Sequence, residues 1–152
     1  MERAIMAEND KFYTLKGYAL MDDTRITSSM EDYLEMIYRI HSNGEIVRIN
    51  TLAESLNVKP SSATKMVNNL KEQGLVSSEK YGYVKLTASG IELGKYLLFR
   101  HETLHSFLCF VNQSENELEQ VEKIEHFVNV ETVGNIKRFM DRMNNDKQHF
   151  CN

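Results

Sequence analysis

The sequence predicts a mainly α-helical fold, in which an N-terminal winged helix-turn-helix with a two-stranded wing is followed by an all-helical domain. Apolar residues recur at helical spacing through most of residues 28–143, and the 152 residues include only one proline. A short turn at 57–59 separates two helices, and Pro60 suits the first position of the second. Two β-like runs, 75–80 and 83–87, then flank a Tyr-Gly pair, which is typical of a β-hairpin.

Most of the predicted helices have a start or stop signal in the sequence. A serine at position 28 or 29 offers an N-cap for the first helix, which is expected to end near Gly44. Residues 46–49 form either a short strand or an extended entry to a second helix, capped by Asn50 or Thr51. The third helix runs from Ser61 to about residue 73 and is closed by Gly74. Further helices are predicted at 91–110 (capped by residue 87 or 89), 115–127 and 132–143.

Composition and cysteine count describe an ordinary globular chain, with 41% hydrophobic and 26% charged residues. No apolar run approaches the roughly 20 residues that a membrane span needs, and the N-terminus lacks the apolar core of a secretory signal. Two cysteines, Cys109 and Cys151, do not make a disulfide framework. We therefore expect a cytoplasmic protein without a membrane partner.

The charge of the chain is divided unevenly along its length. The net charge is −4, but residues 101–152 alone carry nine acidic and five basic side chains. Residues 28–100 carry nine basic and eight acidic ones. This division fits a nucleic-acid reader joined to an acidic module of another kind.

The third helix and the hairpin carry the residue types that contact DNA. No acidic residue occurs between Lys59 and Lys71, and lysines, small hydroxyls and a helix N-terminus suit phosphates, whereas Asn68 suits an adenine edge. The alternative is a solvated helix in a protein-binding winged helix. The predicted DNA contacts to a double-stranded operator are Lys59, Ser61, Ser62, Thr64, Lys65, Asn68, and in the wing Lys80 and Tyr81.

A second set of residues has the spacing and chemistry of metal ligands. Glu122, Glu125 and His126 fall at i, i+3 and i+4, and so share one face if their segment is helical. Asp32 and Glu35 share another helix face. His101 lies in an apolar helix, with His105 one turn further on as a possible auxiliary ligand. Taken singly, each group is more often a solvated face or a packed histidine.

Taken together, the four carboxylates and two imidazoles form a hard oxygen and nitrogen donor set. Such a set suits Mn²⁺ or Fe²⁺ and lacks the thiolates of a structural zinc site. Cys109, in an apolar run, is expected to be packed rather than ligating. Four neighbouring carboxylates repel one another, so we expect assembly of the site to depend on metal.

These segments carry a resemblance to the manganese transport regulators of the diphtheria toxin repressor superfamily, a family of metal-dependent repressors. The matching stretches cover most of the chain from residue 28 to residue 143. They are 29–35 (SMEDYLE), 60–67 (PSSATKMV), 79–81 (EKY), 86–90 (LTASG), 100–102 (RHE) and 121–126 (VEKIEH).

The resemblance implies a binuclear metal site with ligands at Asp32, Glu35, His101, Glu122, Glu125 and His126. The iron branch of the superfamily has Met at the position of Asp32 and Cys at that of Glu122, so the chain resembles the manganese branch. His105 stands where the family usually has an acidic residue. The implied organisation is an extension of unknown role at 1–27, a winged helix-turn-helix at 28–90, a helical metal-binding and dimerisation domain at 91–143, and a polar tail at 144–152.

The implied function is a homodimeric, manganese-responsive transcriptional repressor, with the metal ion as corepressor and metal-uptake genes as targets. One alternative is a winged-helix regulator that senses iron, a small ligand or an oxidant. Another is a carboxylate-bridged di-metal enzyme. Such bundles carry a Glu-x-x-His pair on each of two helices, whereas this chain has only one E-x-x-E-H, and we expect no enzyme.

Overall fold

The computed structural model describes residues 26–78 and 82–149, and the side chains at all of these positions except 78 and 146–149. Within these ranges the chain forms two groups of elements. The first group is α1 (Ser28–Ser42), β1 (Val47–Arg48), α2 (Ile49–Ser55), α3 (Pro60–Glu72), β2 (Val76–Ser78) and β3 (Tyr83–Leu86). The second is α4 (Ala88–Asn112), α5 (Leu118–Ile124), a 3₁₀ turn (Glu125–Phe127) and α6 (Val130–His149).

This order confirms the predicted fold class, a winged helix-turn-helix followed by a helical domain. The turn between α2 and α3 passes through Asn57, whose φ of 53° is left-handed, a conformation that asparagine tolerates better than most residues. Gly74, with φ of 71°, follows the end of α3 as predicted. For residues 46–49 the sequence allows either a short strand or an extended entry to the next helix, and the structure shows a short strand at Val47–Arg48.

The wing is part of a three-stranded antiparallel sheet in the order β1-β3-β2. Val76 lies opposite Leu86 in the hairpin, and Val47 of β1 lies opposite Val84 on the other side of β3. The predicted two-stranded hairpin is therefore present, with β1 added at its edge. Residues 79–81, which include the predicted DNA contacts Lys80 and Tyr81, lie outside the described residues.

One apolar core joins α1 to α2, α3, the sheet and the first turns of α4. Leu34 and Ile37 of α1, Leu52 of α2, Leu70 of α3 and Leu97 of α4 are all fully buried within it. Because α1 packs against α2, α3 and α4, a side chain on α1 is held in a fixed position relative to α3, the second helix of the helix-turn-helix.

The helix caps differ in part from the sequence prediction. The N-cap of α1 is Thr27, whose hydroxyl accepts a hydrogen bond from Met30 N at 3.3 Å, one residue before the predicted serines. No side chain caps α2, whose N-cap is Arg48, so the predicted cap at residue 50 or 51 is wrong. Thr87 caps α4 as predicted and also donates to Gly74 O at 2.7 Å, which ties α4 to the end of α3.

The last two helices also depart from their predicted bounds. The segment predicted as one helix over 115–127 begins at Leu118 and changes to a 3₁₀ turn at Glu125. The last helix is longer than predicted and includes residues 144–149, which the sequence suggested as a polar tail. Polarity alone therefore does not mark the end of this helix, which continues through Asn144, Asn145 and Asp146 in spite of their low helix propensity.

We predict opposite stability effects at two helical glycines. A Cβ at Gly90 would lie 1.9 Å from Leu75 O, a backbone atom, whereas a Cβ at Gly134 meets nothing closer than Arg138 Nη1 at 3.6 Å. Gly90→Ala should destabilise the protein by about 1–3 kcal/mol or more through overpacking. Gly134→Ala should stabilise it by about 0.5–1 kcal/mol. Urea titrations of the two variants test this, and equal midpoints would refute the close packing of α4 on Leu75.

Candidate metal centre and DNA-reading helix

Three separate parts of the chain supply the side chains of the candidate metal centre. The first two turns of α1 carry the acidic residues 31, 32 and 35, and the middle of α4 carries Arg100 and His101. The end of α5 and the 3₁₀ turn carry Glu122, Glu125 and His126. The centre therefore connects the DNA-binding elements to the helical domain.

The ligating atoms form two triads that share one carboxylate. Asp32, Glu125 and His126 have ligand atoms within 4.8 Å of one another, and so do Glu35, His101 and Glu125. Glu125, common to both triads, is 1% exposed. A carboxylate so deeply buried requires charge compensation, and two adjoining triads with one shared carboxylate offer two neighbouring cation positions.

Glu122, the sixth predicted ligand, lies beside the triads rather than in one. Its Oε1 is 3.6 Å from His101 Nδ1, and its side chain is 56% exposed. The same ring nitrogen of His101 lies 3.1 Å from Glu125 Oε2 and 3.7 Å from Glu35 Oε1. The structure thus brings five predicted ligands into the triads and the sixth to their edge.

The chain reaches this arrangement differently from the single helical face that the E-x-x-E-H spacing suggested. Glu122 projects from α5, whereas Glu125 and His126 belong to the 3₁₀ turn that follows it. The tighter winding of a 3₁₀ turn changes the angular relation between the two groups. As a result, Glu122 is exposed and Glu125 is buried, although they are only three residues apart.

Two residues outside the predicted ligand set, Glu31 and Arg100, contact the centre. Glu31 Oε2 lies 2.6 Å from His126 Nδ1 and 2.8 Å from Arg100 Nη2. The sequence contained a signal for Arg100, since it lies between Leu97 and Leu104 at helical spacing on the buried face of α4 and is itself 4% exposed. Glu31 is adjacent to Asp32 and carried no signal of its own.

Hydrogen bonds to carboxylates raise the pKa values of both histidines of the centre. Hydrogen bonds to Asp32 and then to Glu31 raise the pKa of His126 to about 10. A hydrogen bond to Glu125 raises the pKa of His101. Both imidazoles therefore hold protons more firmly than a free histidine, and a cation at either ring nitrogen must displace a proton.

The carboxylates respond to burial and to their charged neighbours. Burial, followed by repulsion from Glu125, raises the pKa of Glu122. Burial also raises the pKa of Glu35, although Arg39 donates to its Oε1 at 2.6 Å and opposes that shift. Burial alone would raise the pKa of Glu31, but hydrogen bonds from His126 and Arg100 outweigh it and leave that pKa lowered.

The donor set fits a divalent metal ion of hard or intermediate character. Every atom of the two triads is a carboxylate oxygen or an imidazole nitrogen, and neither triad contains a thiolate. The possible auxiliary ligand His105 is in neither triad. Its Nε2 accepts a hydrogen bond from Glu117 N at 3.3 Å and lies 3.7 Å from Cys109 Sγ, so both residues are held away from the two triads.

The second helix of the helix-turn-helix, α3, is the recognition helix, and it presents its predicted DNA contacts to solvent. No side chain caps the N-terminus of α3, where Pro60 occupies the first turn, and this leaves the helix end open to an anion. The residues of α3 and its entry that were predicted to contact DNA are all exposed, while Ala63, Val67 and Leu70 face the core. The exposed set is Lys59, Ser61, Ser62, Thr64, Lys65 and Asn68.

A winged helix-turn-helix joined through a carboxylate and histidine centre to a helical domain defines a metal-dependent DNA-binding regulator. Two parts of one family match the chain in the same order. The iron dependent repressor N-terminal DNA binding domain matches residues 25–84, and the iron dependent repressor metal binding and dimerisation domain matches residues 87–149. The chain belongs to the iron dependent repressor family.

Relatives within this family include manganese regulators. The HTH-type transcriptional regulator MntR of Oceanobacillus iheyensis is 38% identical over 121 residues, which cover 79% of this chain and 82% of the relative. The structure of the manganese regulator SloR superimposes with a TM-score of 0.66 at 27% identity, over 74% of this chain and 53% of that one. A manganese-dependent transcriptional repressor in complex with manganese gives a TM-score of 0.63 at 30% identity, over 74% and 52%.

The chain thus spans about half the length of these two solved structures but most of the length of the MntR relative. The family that matches is one of repressors, and the MntR relative is a regulator of transcription. Among the described helices, none combines the length and the apolar content that a membrane span requires.

We predict that two substitutions on α3 separate affinity from specificity. Lys65→Ala should weaken binding to all DNA sequences and flatten the dependence of log K on log salt by about one unit, as expected for one lost phosphate contact. Asn68→Ala should instead relax preference at one base position. Titration of operator and random duplexes at several salt concentrations tests both, with Glu92→Ala, an exposed change on α4, as control. Unchanged binding in both variants would place the DNA contacts elsewhere.

Proposed function

We propose that this protein is a cytoplasmic, homodimeric, manganese-responsive repressor that binds a double-stranded DNA operator and controls metal-uptake genes. The observation that carries the proposal is the pair of triads that share Glu125 and draw ligands from both α1 and the helical domain. Its support from related proteins is the family match and the manganese regulators of similar sequence and fold.

Mn²⁺ is the proposed corepressor, in a binuclear site formed by Asp32, Glu35, His101, Glu122, Glu125 and His126. Carboxylates and imidazoles without a thiolate favour Mn²⁺, with Fe²⁺ as the second candidate of the same hardness. When bound, the metal supplies positive charge that the crowded carboxylates lack. Regulation by iron or by a non-metal signal is the alternative. A regulator of the non-metal kind predicts that no divalent metal ion affects DNA affinity.

The chain's own residues would convert this charge compensation into DNA binding. Asp32 and Glu35 are fixed on α1, and α1 packs against the recognition helix in a core that includes the buried residues Leu34 and Ile37. Glu125 and His126 belong to the helical domain, which contains the dimerisation part of the family. Attraction between the two groups would therefore fix each recognition helix relative to the dimer.

Fixed recognition helices matter because a dimer must present them about 34 Å apart to meet successive major grooves. If the dimer samples several spacings of its recognition helices, only the fraction with the correct spacing can bind the operator. The apparent affinity for DNA is then lower in proportion to that fraction. Metal and DNA would then strengthen each other's binding by the same factor, as thermodynamic linkage requires.

We predict that Glu122→Ala and His126→Ala each abolish metal-dependent DNA binding and leave the protein folded. Glu122 is exposed, so its side chain is dispensable for packing. Glu119, on the same helix, is 86% exposed and pairs with Lys123, so Glu119→Ala is the matched control. Calorimetric titration with Mn²⁺ should show fewer sites in both ligand variants, and wild-type binding should release protons. Wild-type stoichiometry in both variants would exclude them as ligands.

We predict that metal changes DNA affinity without changing the oligomeric state. The helical domain exposes large apolar side chains, including Phe99, Phe127 and Phe139, and apolar helix packing does not require a metal ion. Wild-type protein and Asp32→Asn should therefore both sediment as dimers with or without Mn²⁺, while only the wild type gains full operator affinity. Sedimentation of metal-free protein as monomers that dimerise with Mn²⁺ would show instead that metal is an assembly signal.

A further inference from the structure

His126 is held on both sides by carboxylates that come from neighbouring positions of α1. Its Nε2 lies 2.9 Å from Oδ1 of Asp32, which is a member of the triad with Glu125. Its Nδ1 lies 2.6 Å from Glu31 Oε2. The two carboxylates therefore fix the orientation of the ring, because turning it over would place the ring carbons Cδ2 and Cε1, rather than Nδ1 and Nε2, against them.

Arg100 fixes Glu31 in turn. The guanidinium Nη2 donates to Glu31 Oε2 at 2.8 Å and also lies 3.2 Å from His126 Nδ1. Arg100 Nη2 and a protonated Nδ1 both carry hydrogen, so the shorter distances identify Glu31 Oε2 as the acceptor for both. The result is a chain of contacts from α4 through α1 to the 3₁₀ turn.

This chain of contacts is built into the packed part of the molecule. Arg100 is 4% exposed, and its side-chain Nε has no hydrogen-bond partner among the described residues. An arginine is always charged in proteins, so its placement in a buried position is costly unless a carboxylate accompanies it. Glu31, whose side chain is 22% exposed, is that carboxylate.

We propose that Glu31, held by Arg100, is a positioning residue that accepts the Nδ1 hydrogen of His126 and so presents Nε2 to the metal centre. The inference rests on the proposed function, because it requires His126 to be a metal ligand. Metal-bound histidines commonly donate their second ring N–H to a carboxylate, and loss of such a carboxylate typically lowers metal affinity 10- to 100-fold.

Three variants separate ring orientation from the loss of one charge. Glu31→Ala removes the acceptor and the charge, whereas Glu31→Gln removes the charge but keeps an amide oxygen that can accept from Nδ1. Glu92→Ala removes an exposed carboxylate of α4 and serves as control. The readouts are Mn²⁺ affinity by calorimetry and, with ¹¹³Cd²⁺ as a diamagnetic probe in ¹⁵N-histidine protein, scalar coupling of the metal to Nδ1 or Nε2 of His126.

We expect Glu31→Ala to lower Mn²⁺ affinity about 10-fold or more and to lose Nε2 coupling or divide the coupling between both nitrogens. Glu31→Gln should keep Nε2 coupling and lose less affinity, and Glu92→Ala should match the wild type. Either Mn²⁺ affinity within twofold of wild type, or unchanged Nε2 coupling, in Glu31→Ala would overturn the positioning role. Absence of any coupling to His126 in the wild type would instead refute the proposed ligand set.

Discussion

The architecture of the metal centre depends on the buried carboxylate of Glu125. At 1% exposure it has little access to water, and a charged carboxylate in that position needs a compensating group at close range. His101 at 3.1 Å supplies one contact, and Glu125 is shared by the two triads. Because one triad includes Asp32 and the other includes Glu35, a cation bound in either triad would also hold α1 against the 3₁₀ turn.

The role of α1 explains how a local charge requirement acts on a distant DNA surface. One face of α1 supplies Leu34 and Ile37 to the core shared with the recognition helix, and its first turns supply carboxylates to the metal centre. Gly94 of α4, where a Cβ would lie 2.7 Å from Tyr38 Cβ, lets α4 approach α1 closely. Close-packed elements transmit strain, so in the proposed mechanism a displacement of the α1 carboxylates would also move α3 and its exposed lysines.

Sequence alone predicted the fold because its signals were local. Apolar periodicity, the Pro60 start and the Gly74 end are properties of single helices, and the structure confirms them. Side-chain chemistry and family resemblance predicted six candidate ligands, and five of them converge in the triads. Glu31 and Arg100 were missed because their roles arise from contacts 69 and 95 positions apart in sequence, between α1 and each of α4 and the turn. The change from α5 to a 3₁₀ turn, which separates Glu122 from Glu125, had no signal in the residue spacing.

Charge balance in the centre makes its metal response inseparable from pH. Two arginines, Arg39 and Arg100, lie beside the five carboxylates of the centre. These carboxylates are Glu31, Asp32, Glu35, Glu122 and Glu125. Protons on the histidines supply further positive charge, and the pKa of His126 is raised to about 10 by Asp32 and Glu31. A raised pKa means that this proton is held throughout the neutral range and is lost only as pH rises toward 10. A cation at Nε2 competes with that proton, so metal affinity should rise with pH across this range. In the proposed centre, Asp32 would therefore both attract the metal and retain the competing proton on His126. Glu31, which contacts Nδ1, would favour ligation through Nε2 without occupying a ligand position.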